Sequence, residues 1–310
     1  MPMKITLYEP LRGVFYTPFY CAVALDAFGQ EGVNVTLKRP AFPEKAALDV
    51  LSGAVDITWG GPMRLMDHHD RDPGCGLVGF CEVATRDPFY LVGREPNRSF
   101  RFADLITMRL GSVSEVPTPW LCLQDDLRRA GIDPGTLDRV EDQSMADNLA
   151  ALESDALNVI QVFEPYVEQA VRGGIGHIWY AASSRGPTSY TCFYGKSSTL
   201  QARPRLPLAM TRAMLRTLKW FHAQSSETIA GTIQGYFPDL EPVVLASAIE
   251  RYRCHGLWGS DPVLPPVGFV RLKCSLLSGG FITRDVPFDA CVDNHFADIA
   301  MAAALPLLEA

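Results

Sequence analysis

The sequence predicts an α/β protein of two lobes, each a mainly parallel sheet flanked by helices, with a ligand cleft between the lobes. Three observations predict it. Short β-branched segments alternate with amphipathic helical ones from the N-terminus, as in sheets built from crossover units. The alternation restarts in mid-chain after a break, and from about residue 206 long helices replace it. A chain of 310 residues has room for two domains of ordinary size. The simplest assembly is a discontinuous first lobe, residues 1–88 and 194–310 with the C-terminal helices, and a continuous second lobe, 89–193.

Residues 3–8, MKITLY, read as the first strand. In FYCAVALDAFGQEG, the residues Phe19, Val23, Ala27 and Phe28 share a helical face and Gly32 closes the helix. VNVTLKR at 33–39 is a second strand, KAALDVLSG a helix ending near Gly53, and VDITWGG at 55–61 a third strand. In parallel sheets the loops at the carboxyl ends of the strands form the ligand crevice, here residues 9–20, 39–44 and 59–64. CGLVGFCEV adds a strand, and ATRDPFYLVG carries the chain across to the second unit. There a strand over 109–113, the helix LCLQDDLRRAGID, a helix near 144–152, the strand VIQVF, the helix after Glu164, and the strands GHIWYAA and SYTCFYG follow. Helices over PLAMTRAMLRTLKWFHAQSSETIAGTIQGYF, EPVVLASAIERYRCHGLW, VGFVRLKCSLLSGGFI and DACVDNHFADIAMAAAL complete the chain.

Hydrophobic residues are 47% and charged residues 20% of the chain, the balance of a globular protein with sizeable cores. A net charge of −7 without a basic stripe argues against nucleic acid or an anionic membrane as partner. No apolar run is long enough to span a bilayer, so no membrane insertion is expected. The start, MPMKITLYEPLRG, has no apolar core or small-residue cleavage site of a signal peptide. The expectation is a cytoplasmic chain, or a periplasmic one if an export signal has been removed. Eight cysteines without a CxxC pair read as buried thiols.

Several loop residues suit a ligand. Arg12, Tyr16 and Thr17 stand beside a helix N-terminus, where N–H groups meet anions and phenols offer hydrogen bonds. Phe42 lies in the second loop. In WGGPMR the glycines permit close approach, while Trp59 and Arg64 suit stacking and a charged group. Ser114 and Thr118 flank a stiff proline segment, and Thr118 is equally a helix cap. Glu164, just after a strand, suits a ligand amine or the helix dipole. Ser189, Tyr190 and Thr191 lie where the chain returns to the first lobe, so hinge and ligand roles overlap there. For catalysis, Cys21 at a helix start, with Arg64 and His68 near in sequence, is the candidate set. The remaining histidines form no metal constellation, and neither a dinucleotide fingerprint nor a P-loop is present, so no metal or cofactor is expected.

The segments YTPFYCAVALDAFGQEGVNV, LSGAVDITWGG, the FEP at 163–165 and GLWGSDPVLPPVGF, in this order, cover most of the chain. Together they resemble the periplasmic solute-binding proteins with type II lobe order, in particular the alkanesulfonate-, taurine- and nitrate-binding proteins and the thiamine-pyrimidine-precursor (NMT1-like) group. The resemblance implies ligand contact by Tyr16, Thr17 and Trp59, an acidic site position at Glu164, and delivery of the ligand to an ABC permease; the ring-rich cleft loops predict a small polar ligand, aromatic, heteroaromatic or sulfonate-like. Two enzyme branches use related folds. The CCCFC cluster of yeast-type pyrimidine-precursor synthases is absent. Aromatic sulfinate desulfinases combine a cysteine with an Arg-Gly-Gly element, which Cys21 and Gly60 to Arg64 echo in altered order. A desulfinase- or decarboxylase-like enzyme using Cys21 is therefore the alternative function, and a metabolite-closing regulatory module a third.

Overall fold

The computed structural model describes residues 2–308. The first sheet contains β1 (Met3–Tyr8), β2 (Val33–Lys38), β3 (Ile57–Gly60) and β4 (Leu77–Ala84). The second contains β5 (Tyr90–Gly93), β6 (Arg109–Gly111), β7 (Asp138–Val140), β8 (Val159–Val162) and β9 (His177–Ala181). β10 (Thr191–Lys196) then returns to the first sheet. The strand orders are β2-β1-β3-β10-β4 and β7-β6-β8-β5-β9. This is the two-lobed architecture the sequence predicts, with one difference. Each sheet is mixed: β10 runs antiparallel to β3 and β4, and β5 runs antiparallel to β8 and β9. Both reversed strands are those on which the chain has just crossed between sheets.

Local chemistry accounts for most boundaries. In the helix Lys45–Ser52 the buried Ala46, Ala47 and Val50 share a face, and Gly53 at φ 80° ends it with a left-handed cap. The single helix expected over 19–32 is two, Thr17–Ala24 and Ala27–Gln30, because Asp26 at φ 50° breaks the path. The single C-terminal helix expected over 289–305 also divides, into Phe288–Cys291 and His295–Ala302. Between them the backbone joins the first sheet, with Val292 bridging Gly79 and Asp293 N–H donating to Gly79 O at 2.9 Å. β5 and β7 were not expected as strands; they hold four and three residues, too few for a pattern of their own. The helix Arg205–Ala223 is the largest helical contributor to the first core and buries Met210, Met214, Leu218 and Phe221. No helix among the described residues is long and apolar enough to cross a membrane.

The two crossing segments are bonded to each other. Thr188 N–H donates to Thr85 O at 2.8 Å, Tyr190 N–H to Ala84 O at 3.0 Å, and Ala182 N–H to Phe89 O at 2.9 Å. Arg185, in the returning segment, pairs with Asp87 in the outgoing one at 2.7 Å and with Asp126 of the helix Thr118–Arg129, all three buried. The connection between sheets is thus a double strand fastened by an internal ion cluster.

Candidate functional site

A cavity lies where the loops of both sheets meet the returning segment. The first sheet contributes the turn after β1, with Pro10, Leu11, Phe15 and Tyr16. Trp258, carried in from the C-terminal half, donates its indole N–H to Phe15 O at 2.8 Å and fixes that turn. The β3 turn contributes Gly60, Gly61, Met63 and Arg64. A Cβ on Gly60 would stand 3.1 Å from the Tyr194 ring, so the glycine admits that ring to the wall. The opposite wall is Phe89, Val116, Thr118 and Phe163, with Ser189, Tyr190, Tyr194 and Leu272 completing the enclosure.

Aromatic edges join the walls. Phe15 meets Phe163 with centroids 5.2 Å apart and Tyr190 at 6.1 Å, both edge-on, and Phe163 meets Phe89 at 5.2 Å. The cavity is small, about 60 Å³, which calls for a compact ligand. Burial pushes the phenols of Tyr16, Tyr190 and Tyr194 far above the ordinary tyrosine range, so each keeps its O–H. Arg64 is the one guanidinium on this lining, and its Nη2 pairs with Glu44 Oε1 at 2.5 Å. The guanidinium side chain is 12% exposed and its partner 46%, so Glu44 can swing to water while Arg64 stays at the cavity.

Of the residues singled out from sequence, Tyr16, Arg64, Thr118, Ser189 and Tyr190 line this cavity. Six others do not. Trp59 is fully buried, stacked on Phe19 at 4.8 Å, and its indole N–H has no partner among the described residues. Thr17 is buried and donates to Val14 O at 2.6 Å. Glu164 is fully buried against Arg251, and its Oε2 accepts Glu168 N–H at 2.9 Å, so it anchors a helix. Arg12 pairs with Glu9 and lies among Tyr20, Tyr236 and Phe237, facing a neighbouring hollow. Phe42 is 51% exposed while its neighbour Pro43 reaches the lining. Ser114 is exposed on the outer rim.

The catalytic alternative is corrected by the same geometry. Cys21 is fully buried in the core between helices and does not line this cavity, and burial pushes its thiol far up, disfavouring the thiolate a nucleophile needs. The N-terminal helix position expected to help is inverted by desolvation. His68 lies outside the lining on the helix Met63–Arg71, its imidazole pushed down by burial. Sequence reasoning passed over Phe89, Tyr194 and Leu272, which come from far along the chain. Ser189 carried a signal, since it stands at the return to the first lobe.

Comparison with known proteins agrees with the architecture. Residues 97–234 match the model of the NMT1-like family. The binding protein YtlA of Bacillus subtilis is 24% identical over 95% of this chain and 89% of its own length. Among solved structures, the periplasmic aliphatic sulphonate binding protein SsuA of Escherichia coli superposes with a TM-score of 0.75 at 14% identity, covering 92% of this chain and 96% of that one. The periplasmic nitrate-binding protein NrtA of Synechocystis does so at 0.71 and 13%, covering 98% and 90%. Identities this low establish a shared fold.

Proposed function

We infer that this chain, built on the two-lobed solute-binding-protein fold with an NMT1-like segment, captures one small molecule in the cavity between its lobes and serves as the receptor of an ABC-type import system. The observation that carries the reading is the lining itself. Both sheets contribute walls, rings supply apolar contact, and the lining carries hydrogen-bond donors: Arg64, the protonated phenols of Tyr16, Tyr190 and Tyr194, and the hydroxyls of Thr118 and Ser189. Such a set suits a compact aromatic or heteroaromatic body bearing an oxyanion such as sulfonate or carboxylate. A binding protein needs no nucleophile, in keeping with the burial of Cys21.

The test is a thermal-shift and calorimetry panel of benzenesulfonate, benzoate, methanesulfonate and nitrate, with mass spectrometry of the recovered ligand. A ligand that binds only the folded form at a hundredfold excess over its Kd stabilises by about 2.7 kcal/mol. The expected result is stabilisation by an aryl anion recovered unchanged. Failure of the whole panel, or chemical conversion of a bound member, overturns the reading.

A further inference from the structure

Behind the cavity wall lies a cluster of polar side chains that neither packing nor the hinge explains. β4 and β10 meet there out of step: Cys192 pairs with Glu82 but Phe193 with Phe80, leaving Cys81 as an extra residue. Cys81 takes a φ of 58°, a left-handed conformation rare outside glycine. A bulge of this kind bends a strand and redirects its side chains. Next to it Glu82 is 1% exposed, and its Oε1 has no hydrogen-bond partner among the described residues. Ser189 and Thr191 are fully buried, and each hydroxyl is likewise unpartnered there. Ser189 forms part of the cavity lining.

Unsatisfied groups so deeply buried are uncommon and costly, and three at one bulge need a reason. Among the described residues no cation acts on Glu82. The charged group acting on it is Asp261, and Cys81 and Cys192 are the other titratable groups facing it. Burial first, then Asp261, push its carboxyl up to about 8, with Ser189 opposing, so at neutral pH it is mostly the acid. Ser189 Oγ is near enough to act on that carboxyl, yet no bond of good geometry joins them.

We propose that Glu82 is a positioning residue for ligand capture: its carboxylic O–H donates to Ser189 Oγ, which turns the serine O–H into the cavity to donate to an oxyanion on the ligand. The inference rests on the reading of the cavity as the ligand site. It makes Ser189 the donor on the return segment, complementing Arg64 on the β3 turn. Ionised Glu82 reverses the arrangement. It accepts the serine proton and sets a negative charge behind the site, so capture of an anion weakens as pH rises through the carboxyl's titration.

Two measurements test this independently. Infrared spectra of the ligand-free protein at neutral pH should hold a protonated-carboxyl band that is lost in Glu82→Gln and shifted in Ser189→Ala. Absence of such a band from the wild type, or a band unmoved by Ser189→Ala, overturns the link. Calorimetry with benzenesulfonate as probe should give weaker binding by about tenfold in Ser189→Ala, the loss of one hydrogen bond to a charged group. Wild-type affinity should fall between pH 7 and about 9, across the titration of a raised carboxyl, while Glu82→Gln stays level. An equal fall in Glu82→Gln overturns the role of the carboxyl. If the wild type does not take up benzenesulfonate, the ligand class fails while the infrared result still decides the Glu82–Ser189 link.

Discussion

Gly268 stands so close to Ser189 that a Cβ built on it would lie 2.9 Å from the serine Oγ and 3.0 Å from its backbone nitrogen. The helix Pro266–Ser278 therefore rests directly on the return segment, and Leu272, one turn on, reaches the cavity. Because one of the opposed atoms is backbone, it cannot rotate aside. Gly268→Ala should destabilise by about 1–3 kcal/mol through overpacking, despite gaining up to about 1 kcal/mol of helix propensity. Gly231→Ala is the control: it lies in the helix Ser226–Ile233 with nothing within 4 Å of the added carbon. It should stabilise by about 0.5–1 kcal/mol. Urea unfolding of the two variants separates close approach from propensity.

Arg64 is held by Glu44, a partner it must share with any anion. Glu44→Gln removes the competitor and should tighten benzenesulfonate binding without loss of stability, since Glu44 is half-exposed and such pairs contribute little. Arg64→Met should weaken it by about tenfold to a hundredfold, the range of a charge-assisted hydrogen bond. Unchanged affinity in Arg64→Met would make the pair a structural one.

How far the sequence could be read depended on where each determinant lies. β1, β2 and β3 were legible because alternation and the Gly32 and Gly53 stops are local, and so was the β3 turn with Arg64. β7 was not, because three residues become a strand only beside β6. Trp59 shows the ambiguity of rings: an aromatic residue before a glycine turn suits a cleft or a core, and stacking on Phe19 decided for the core. For Glu164 the sequence left a ligand amine and the helix dipole both open, because its partner Arg251 arrives 87 residues later. The bulge at Cys81, which turns Glu82, depends on how β10 returns from the other sheet and left no mark in the sequence.

The thiols give a direct check on the discarded catalytic role. Cys254 is the exposed cysteine, and Cys21 is sealed in the core. Brief alkylation of the native protein followed by peptide mass spectrometry should label Cys254 and leave Cys21 unmodified. Cys21→Ser should bind the probe as the wild type does, since no cavity atom belongs to it. Rapid native labelling of Cys21 would reopen a chemical role.

The ion cluster joining the crossing segments should be sensitive to loss of its cation. Arg185 donates to both Asp87 and Asp126, and burial pushes Asp87 up against the opposing pull of Arg185. Arg185→Met leaves two carboxylates buried without it, a change that costs about 3–5 kcal/mol. Adding Asp126→Asn to that variant should restore part of the loss. Unfolding midpoints of the wild type, the single and the double variant measure both.

Glu82 also makes stability depend on pH in a direction opposite to that of a paired carboxylate. Its folded value of about 8 lies above the ordinary carboxylate range, so between the two the folded state holds a proton that the unfolded chain has released. The slope of stability with pH follows protons bound in the unfolded state minus the folded state, and is therefore negative here. The stability that rests on a neutral Glu82 is fully present below about pH 4, where both states are protonated, and is lost as pH rises through the folded titration near 8. Glu82→Gln has no proton to lose. Its melting temperature should gain on the wild type steadily from about pH 5 to about pH 8, and a gap that does not widen over that range would mean Glu82 is ionised in the folded protein.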